Sequence, residues 1–281
     1  MSAACHASVL DPRGPIGHAD RTILIDSLAI MLAIVIPTIV ATLGFAWWFR
    51  ASNPRARRLP EWAFSGQIEL VVWSIPVMVI ILLGGVTWLG SHQLDPAKPL
   101  SSPARPIDIQ VVSLDWKWLF IYPRQHVASV NQLVVPAGVP LRFSLTSASV
   151  MNAFFVPQLG SMIYTMNGMA TTLYLQADHP GTFRGISAHY SGEGFSDMHF
   201  DVRALSSGEF AAWIETTRSE GQALTADRYS ALATQSVNVP VTLYNDVDPH
   251  LFDKIVMLTL PPGPGPVVAR NGATQATQAE H

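Results

Sequence analysis

The run Ser187-Ala-His189-Tyr-Ser191-Gly-Glu-Gly-Phe195-Ser-Asp-Met198 sets side chains at the intervals of Cys-x-Glu-x-Cys-x-x-x-His-x-x-Met, a ligand pattern that holds a pair of copper ions. Asn152 stands upstream, where such a site takes a second histidine. Both cysteine positions are serine here, the histidine position is Phe195, and Met198 alone remains a soft donor. A copper pair needs bridging thiolates and imidazoles, and hydroxyls, a phenyl ring and one thioether do not replace them. The chain therefore keeps the intervals of such a site without the side chains that would hold its metal. A stray ion on Met198, His189 and His199 is disfavoured too, because neighbours 198 and 199 point to opposite faces of a strand.

Other chemistry is sparse. The single cysteine, Cys5, excludes an internal disulfide and any cysteine-pair metal site. Ser2-Ala3-Ala4-Cys5 resembles the end of a bacterial lipoprotein signal without its apolar region, so Cys5 is either a lipidation site with the true start further upstream or a plain thiol. Glu69, in Gln67-Ile-Glu69-Leu-Val-Val-Trp73, is an ionisable group at the edge of an apolar run, where acids mark ion pathways or complement a helix dipole. No phosphate-cradling glycine loop, nucleophile elbow or basic aromatic stripe for nucleic acid is present.

The elements that must carry these residues begin with a membrane portion. Only 13% of the 281 residues are charged against 49% hydrophobic. The uncharged stretches 27–49 and 70–89 cover 23 and 20 residues, each enough to cross a hydrocarbon core of roughly 30 Å. The loop between them holds Arg50, Arg55, Arg57 and Arg58 against Glu61 alone, whereas the leader has Arg13 and Arg21, so the loop is expected on the cytoplasmic side and both chain ends outside. Trp47, Trp48, Trp62, Trp73 and Trp88 suit either headgroup anchors or helix packing; Pro37 and Pro76 are shape elements, and Asp26 an interfacial carboxylate.

The expected organisation is an extracytoplasmic segment 1–22, a transmembrane hairpin 23–94 with a cytoplasmic loop 50–66, a proline-punctuated linker 95–106, an all-β domain 107–205, a helical extension 206–260 and a disordered tail 261–281. Strand-like runs cover 107–112, 132–135, 141–146, 171–175 and 198–202, separated by turn signals, which predicts a sandwich or barrel. Residues 206–220 and 225–233 read as helices capped by Ser207 and Thr225, with Phe210, Trp213 and Ile214 on one face. The part from Asp95 onward carries 15 acids and 11 bases, a net of −4 that argues for no basic carrier-docking site.

Longer motifs carry a resemblance: Leu10-Asp-Pro-Arg-Gly-Pro-Ile-Gly17, Gly44-Phe-Ala-Trp47, Val112-Ser-Leu-Asp-Trp-Lys-Trp-Leu-Phe-Ile-Tyr-Pro123, Ser149-Val-Met-Asn-Ala-Phe-Phe-Val-Pro157 and Gly185-Ile-Ser-Ala-His-Tyr-Ser-Gly192. From about Ala4 to Leu260 the chain resembles subunit II of bacterial ubiquinol oxidases of the cytochrome bo type, haem–copper oxidases whose subunit II has lost copper-A. The resemblance implies a two-helix hairpin with a cupredoxin-like extracytoplasmic domain in a bacterial inner membrane. It implies partners in subunit I and in subunits III and IV, haems and copper in subunit I, ubiquinol as substrate of the complex, and no cofactor or metal in this chain. It makes Asn152, Ser187, His189, Ser191, Phe195 and Met198 a vestigial copper-A set, with position 189 a backbone-carbonyl position. Glu69 matches the glutamate associated with the mouth of the proton-conducting K-channel. The Trp116-Lys117-Trp118 block, near the donor in copper-bearing relatives, is left with packing and subunit contact. Two alternatives stand beside this reading: a cytochrome c oxidase subunit II with working copper-A, and a membrane-tethered cupredoxin-like binding or assembly protein.

Overall fold

The computed structural model describes residues 9–57, 59, 61–261 and 263. Cys5 and nearly all of the tail expected from 261 onward lie outside the described residues. Two compact units emerge: Arg21–Asp95, and the remainder of the chain before and after it.

The first unit is helical. Helix α1 spans Pro15–Trp48 and α2 spans Gly66–Gln93, 34 and 28 residues, or about 51 and 42 Å at the usual rise of 1.5 Å. Helix α1 starts well before the uncharged stretch because Pro15 carries a preset φ suited to a first helical position. Gly90 lets the helices meet: a Cβ there would come 2.8 Å from Ile23 Cδ1. Away from that contact the apolar side chains face outward, with Val40, Leu70, Met78 and Ile80 each about two-thirds exposed, and water does not tolerate so much apolar surface. The five tryptophans are exposed as well, so packing within the hairpin does not account for them, and the Arg50 guanidinium lies 4.8 Å over Trp47.

The second unit is a pair of β-sheets. Its strands are β1 (Ile107–Leu114), β2 (Lys117–Tyr122), β3 (Val127–Val130), β4 (Gln132–Pro136), β5 (Leu141–Ser147), β6 (Asn152–Phe155), β7 (Ile163–Thr165), β8 (Thr171–Leu175), β9 (Gly181–Ser187) and β10 (His199–Leu205). After these come α3 (Ser207–Glu220), β11 (Gln222–Leu224), α4 (Ala226–Ala233), β12 (Thr242–Val247) and α5 (Leu251–Val256). One sheet runs β11-β12-β3-β2-β1-β5-β8 and the other β4-β10-β9-β6-β7. Parallel pairs β1·β5, β4·β10 and β11·β12 sit among antiparallel ones.

Strand β2 explains the layering. Alternation sends Trp118, Phe120 and Tyr122 into the core between the sheets, and Leu119 and Ile121 into a second core on the outer face. That outer face is covered by the C-terminal chain through Tyr229, Leu251, Phe252 and Ile255, so all six β2 residues are buried. The segment 206–260 is therefore more than the helical extension expected: β11 and β12 extend the larger sheet past β3. Their brevity hid them, and β12 alternates too weakly to stand out in sequence. The cap of α3 is also one residue earlier than expected. Ser206 stands three residues before Glu209, and the two exchange bonds in a capping box, which Ser207 has no acid placed to form. Those bonds hold the Glu209 carboxyl below its usual range. Thr225 caps α4 as expected.

Strand β4 closes one edge of the smaller sheet, and Tyr122 reaches across from the other sheet to satisfy it. Its hydroxyl donates to Val134 O at 2.8 Å and accepts from Val134 N at 2.9 Å. Tyr122→Phe leaves both backbone groups buried without partners, and thermal unfolding is expected to report a loss of about 2 kcal/mol.

Candidate functional site

The vestigial positions come together at one end of the smaller sheet. Asn152 opens β6, Ser187 closes β9, and the loop 188–198 returns through a 3₁₀ turn at Glu193–Asp197 to the start of β10. Strand pairing brings the upstream residue home, because β6 and β9 are antiparallel neighbours with Phe154 opposite Ser187.

What the residues form is a hydrogen-bonded knot. The Ser187 hydroxyl lies 3.2 Å from Asn152 Oδ1 and 3.3 Å from the His189 carbonyl, to either of which it donates. The Asn152 amide donates to Val150 O at 3.2 Å. Beneath it, Thr165 Oγ1 donates to Asn152 O at 3.4 Å and is 2.8 Å from the Ser113 hydroxyl. Ser191 Oγ sits 3.9 Å from Met198 Sδ, a weak hydroxyl-to-thioether contact. Asn152, Ser187, Ser191 and Met198 are all buried. Phe195 packs edge-on against Tyr190, with ring centroids 5.7 Å apart.

The remaining candidates diverge. The His189 carbonyl faces the knot, but its imidazole turns out, with Nδ1 3.0 Å from Tyr190 O and the ring edge-on to Tyr164. His189 lines an apolar cavity of about 390 Å³ with Val150, Met151, Tyr190, Ser191, Gly192 and Glu193. His199 lines a different, polar cavity with Asp197 and Asp201. Met198, His189 and His199 thus face three environments, and the sequence neighbours Met198 and His199 point apart. Among the described residues no three His, Cys, Asp or Glu side chains gather as a metal-holding group.

The donors converging on the former ligand positions are two hydroxyls, a carboxamide, a carbonyl and one thioether. They satisfy each other and do not fit a copper pair, which needs soft bridging thiolates. These side chains hold the shape of this end of the domain and offer no bridging thiolate.

Two neighbours belong to the aromatic block Trp116-Lys117-Trp118. Trp116 donates its indole N–H to Ser191 O at 3.1 Å. Lys117 is fully buried, with Nζ on Thr234 O at 2.7 Å and Ser236 Oγ at 2.6 Å. A lysine on the same strand face as Leu119 and Ile121 was the signal for a buried charge, legible only once that face is known to be covered. Glu69 belongs to the other unit, in the first turn of α2, exposed, its backbone N–H on Ser65 O at 3.0 Å.

The family model described as cytochrome c oxidase subunit II, periplasmic domain, matches residues 109–205, and the COX aromatic rich motif matches residues 218–263. Ubiquinol oxidase subunit 2 of Acetobacter aceti is 49% identical over 258 residues, covering 91% of this chain and 84% of that relative. Cytochrome bo(3) ubiquinol oxidase subunit 2 of Pseudomonas aeruginosa is 48% identical over 256 residues, covering 91% and 77%.

Proposed function

The chain belongs to the family of ubiquinol oxidase subunit 2, and from that premise we propose that it serves a membrane-bound complex that oxidises ubiquinol and reduces oxygen to water, without passing electrons itself. The observation that carries the reading is the replacement of both thiolate positions by serines already engaged with Asn152, the His189 carbonyl and Met198. A subunit whose copper ligands are gone suits a complex that takes electrons from a lipid-soluble donor.

In this reading the haems and the copper reside in subunit I, with subunits III and IV as further partners. Helices α1 and α2 offer subunit I and lipid their exposed apolar faces. The β domain lies on the periplasmic side, in line with the arginine-rich loop on the other side of the membrane. There it covers subunit I. Glu69 stands at the cytoplasmic start of α2 as a proton-entry carboxylate for the K-channel. A carboxylate in that place collects protons and passes them on through water.

Purification through a tag on this chain tests the whole proposal. A haem-bearing partner should co-isolate, oxidise ubiquinol and leave reduced cytochrome c untouched. Oxidation of cytochrome c with redox-active copper in this subunit would favour the copper-A alternative, and a chain isolated alone would favour a tether.

A further inference from the structure

The turn between β1 and β2 fastens two separate loops. Trp116 holds φ at 65°, a left-handed conformation that a bulky residue keeps only where its surroundings fix it. Its indole bonds Ser191 O, and its ring lies so close over Gly194 that a Cβ on that glycine would overlap it. The next residue points to the opposite face of the sheet. There Lys117 Nζ donates to Thr234 O, to Ser236 Oγ and, at 3.2 Å, to Asp115 O. Thr234 and Ser236 belong to the irregular segment 234–241, which links α4 to β12. Asn131 holds this segment a second time, with Nδ2 on Val239 O at 2.8 Å. Between the two attachments Val237 leans over Gly194, so that a Cβ on Gly194 would press on Val237 Cγ1 as well as on Trp116.

We propose that segment 234–241 is a strap that braces the former metal loop 191–198 in place of a metal, with Lys117 as its pin, and that strap and loop open as one unit. A metal site holds its loops through bonds to several side chains. Here Trp116 and Val237 both close on the face of Gly194 where a Cβ would stand, and Lys117 ties the strap to the same β-turn.

The pin has a titration signature that a merely space-filling lysine would lack. Burial lowers the Lys117 ammonium from 10.5 to about 8, opposed by the Asp115 carboxylate. Among the described residues the strap carries no ionisable side chain, and in the adjoining α4 Asp227 is exposed and Arg228 is engaged with Ala223 O at 2.8 Å. Opening the strap returns Lys117 to water and to its ordinary affinity, so the open form binds the proton more tightly. Opening is favoured while Lys117 is charged, and closure gains as pH rises from about 8 towards 10.5.

Hydrogen exchange on the full-length chain in detergent, corrected for intrinsic rates, tests this between pH 7 and pH 9. The opening constant of the strap amides should fall about tenfold over that range. The amides of Gly192–Met198 should follow the same profile, while those of β1 and β5 stay flat. Lys117→Met should abolish the pH dependence in both segments. A flat strap profile in the unsubstituted chain overturns the pin, and loop amides that stay flat while the strap changes overturn the brace. Both readouts come from the natural sequence, so the test stands even where Lys117→Met does not fold. It is independent of which donor the complex oxidises.

Discussion

Gly185→Ala is expected to destabilise the β domain by about 3 kcal/mol or more, a large share of the 5–15 kcal/mol that holds a typical domain folded. Gly185 in β9 lies directly opposite Phe200 in β10, and the Phe200 ring folds back over it. A Cβ on Gly185 would overlap three carbons of that ring. The ring cannot move aside cheaply. It stacks on Phe154 with centroids 5.2 Å apart, and meets Phe120 at 5.1 Å and Trp118 at 5.6 Å, all of them fully buried. Displacing Phe200 therefore disturbs the aromatic centre of the core between the sheets. Gly208 is the matched control. It lies in the first turn of α3 with nothing within 4 Å of an added Cβ, so Gly208→Ala should be neutral or stabilise by up to about 1 kcal/mol. Thermal unfolding of the two variants should move in opposite directions or at least differ sharply. Equal melting temperatures would mean that Phe200 is not packed as described.

Gly185 also marks the limit of what sequence could give. The motif from Gly185 to Gly192 was legible as a unit, and the intervals at 187, 189, 191, 195 and 198 led straight to the knot of Ser187, Ser191 and Met198. Asn152 was legible for the same reason, since its upstream position in a matching context anticipates the β6·β9 pairing. The need for glycine at 185 was not, because the ring that occupies its space is fifteen residues on and arrives only through cross-strand register. Strands of strong alternation such as β1, β5 and β8 are readable in sequence, whereas β2 shows there only as an aromatic block. With both faces buried, its sequence loses the alternation that signals a half-exposed strand. Lys117 follows from the same cause. A charge in a buried strand makes sense only with Thr234 and Ser236, more than a hundred residues away. The hairpin was the easiest part, because apolar length alone specifies a membrane helix.

The same principle frames the largest expected effect on activity. Glu69→Gln should slow oxygen reduction by the complex on the order of tenfold, while haem content and assembly stay normal. Glutamine keeps the size and hydrogen-bonding capacity of the side chain and removes only its ability to exchange a proton. Two roles for Glu69 then separate cleanly. If it serves merely to complement the N-terminal dipole of α2, losing its charge costs about 0.3–1 kcal/mol of helix stability and leaves turnover untouched. If it also collects protons, the same small stability cost is joined by a fall in rate, because water alone must deliver protons to the entrance. The deficit should widen from pH 6 to pH 8 as bulk protons grow scarce, and Glu69→Asp should recover part of the rate, since it restores an exchangeable proton on a shorter arm. Its place in the first turn of α2, at the loop end of the helix, suits a group that trades protons with water. Turnover of Glu69→Gln equal to that of the natural chain at both pH values would refute the proton-entry role and leave the dipole reading.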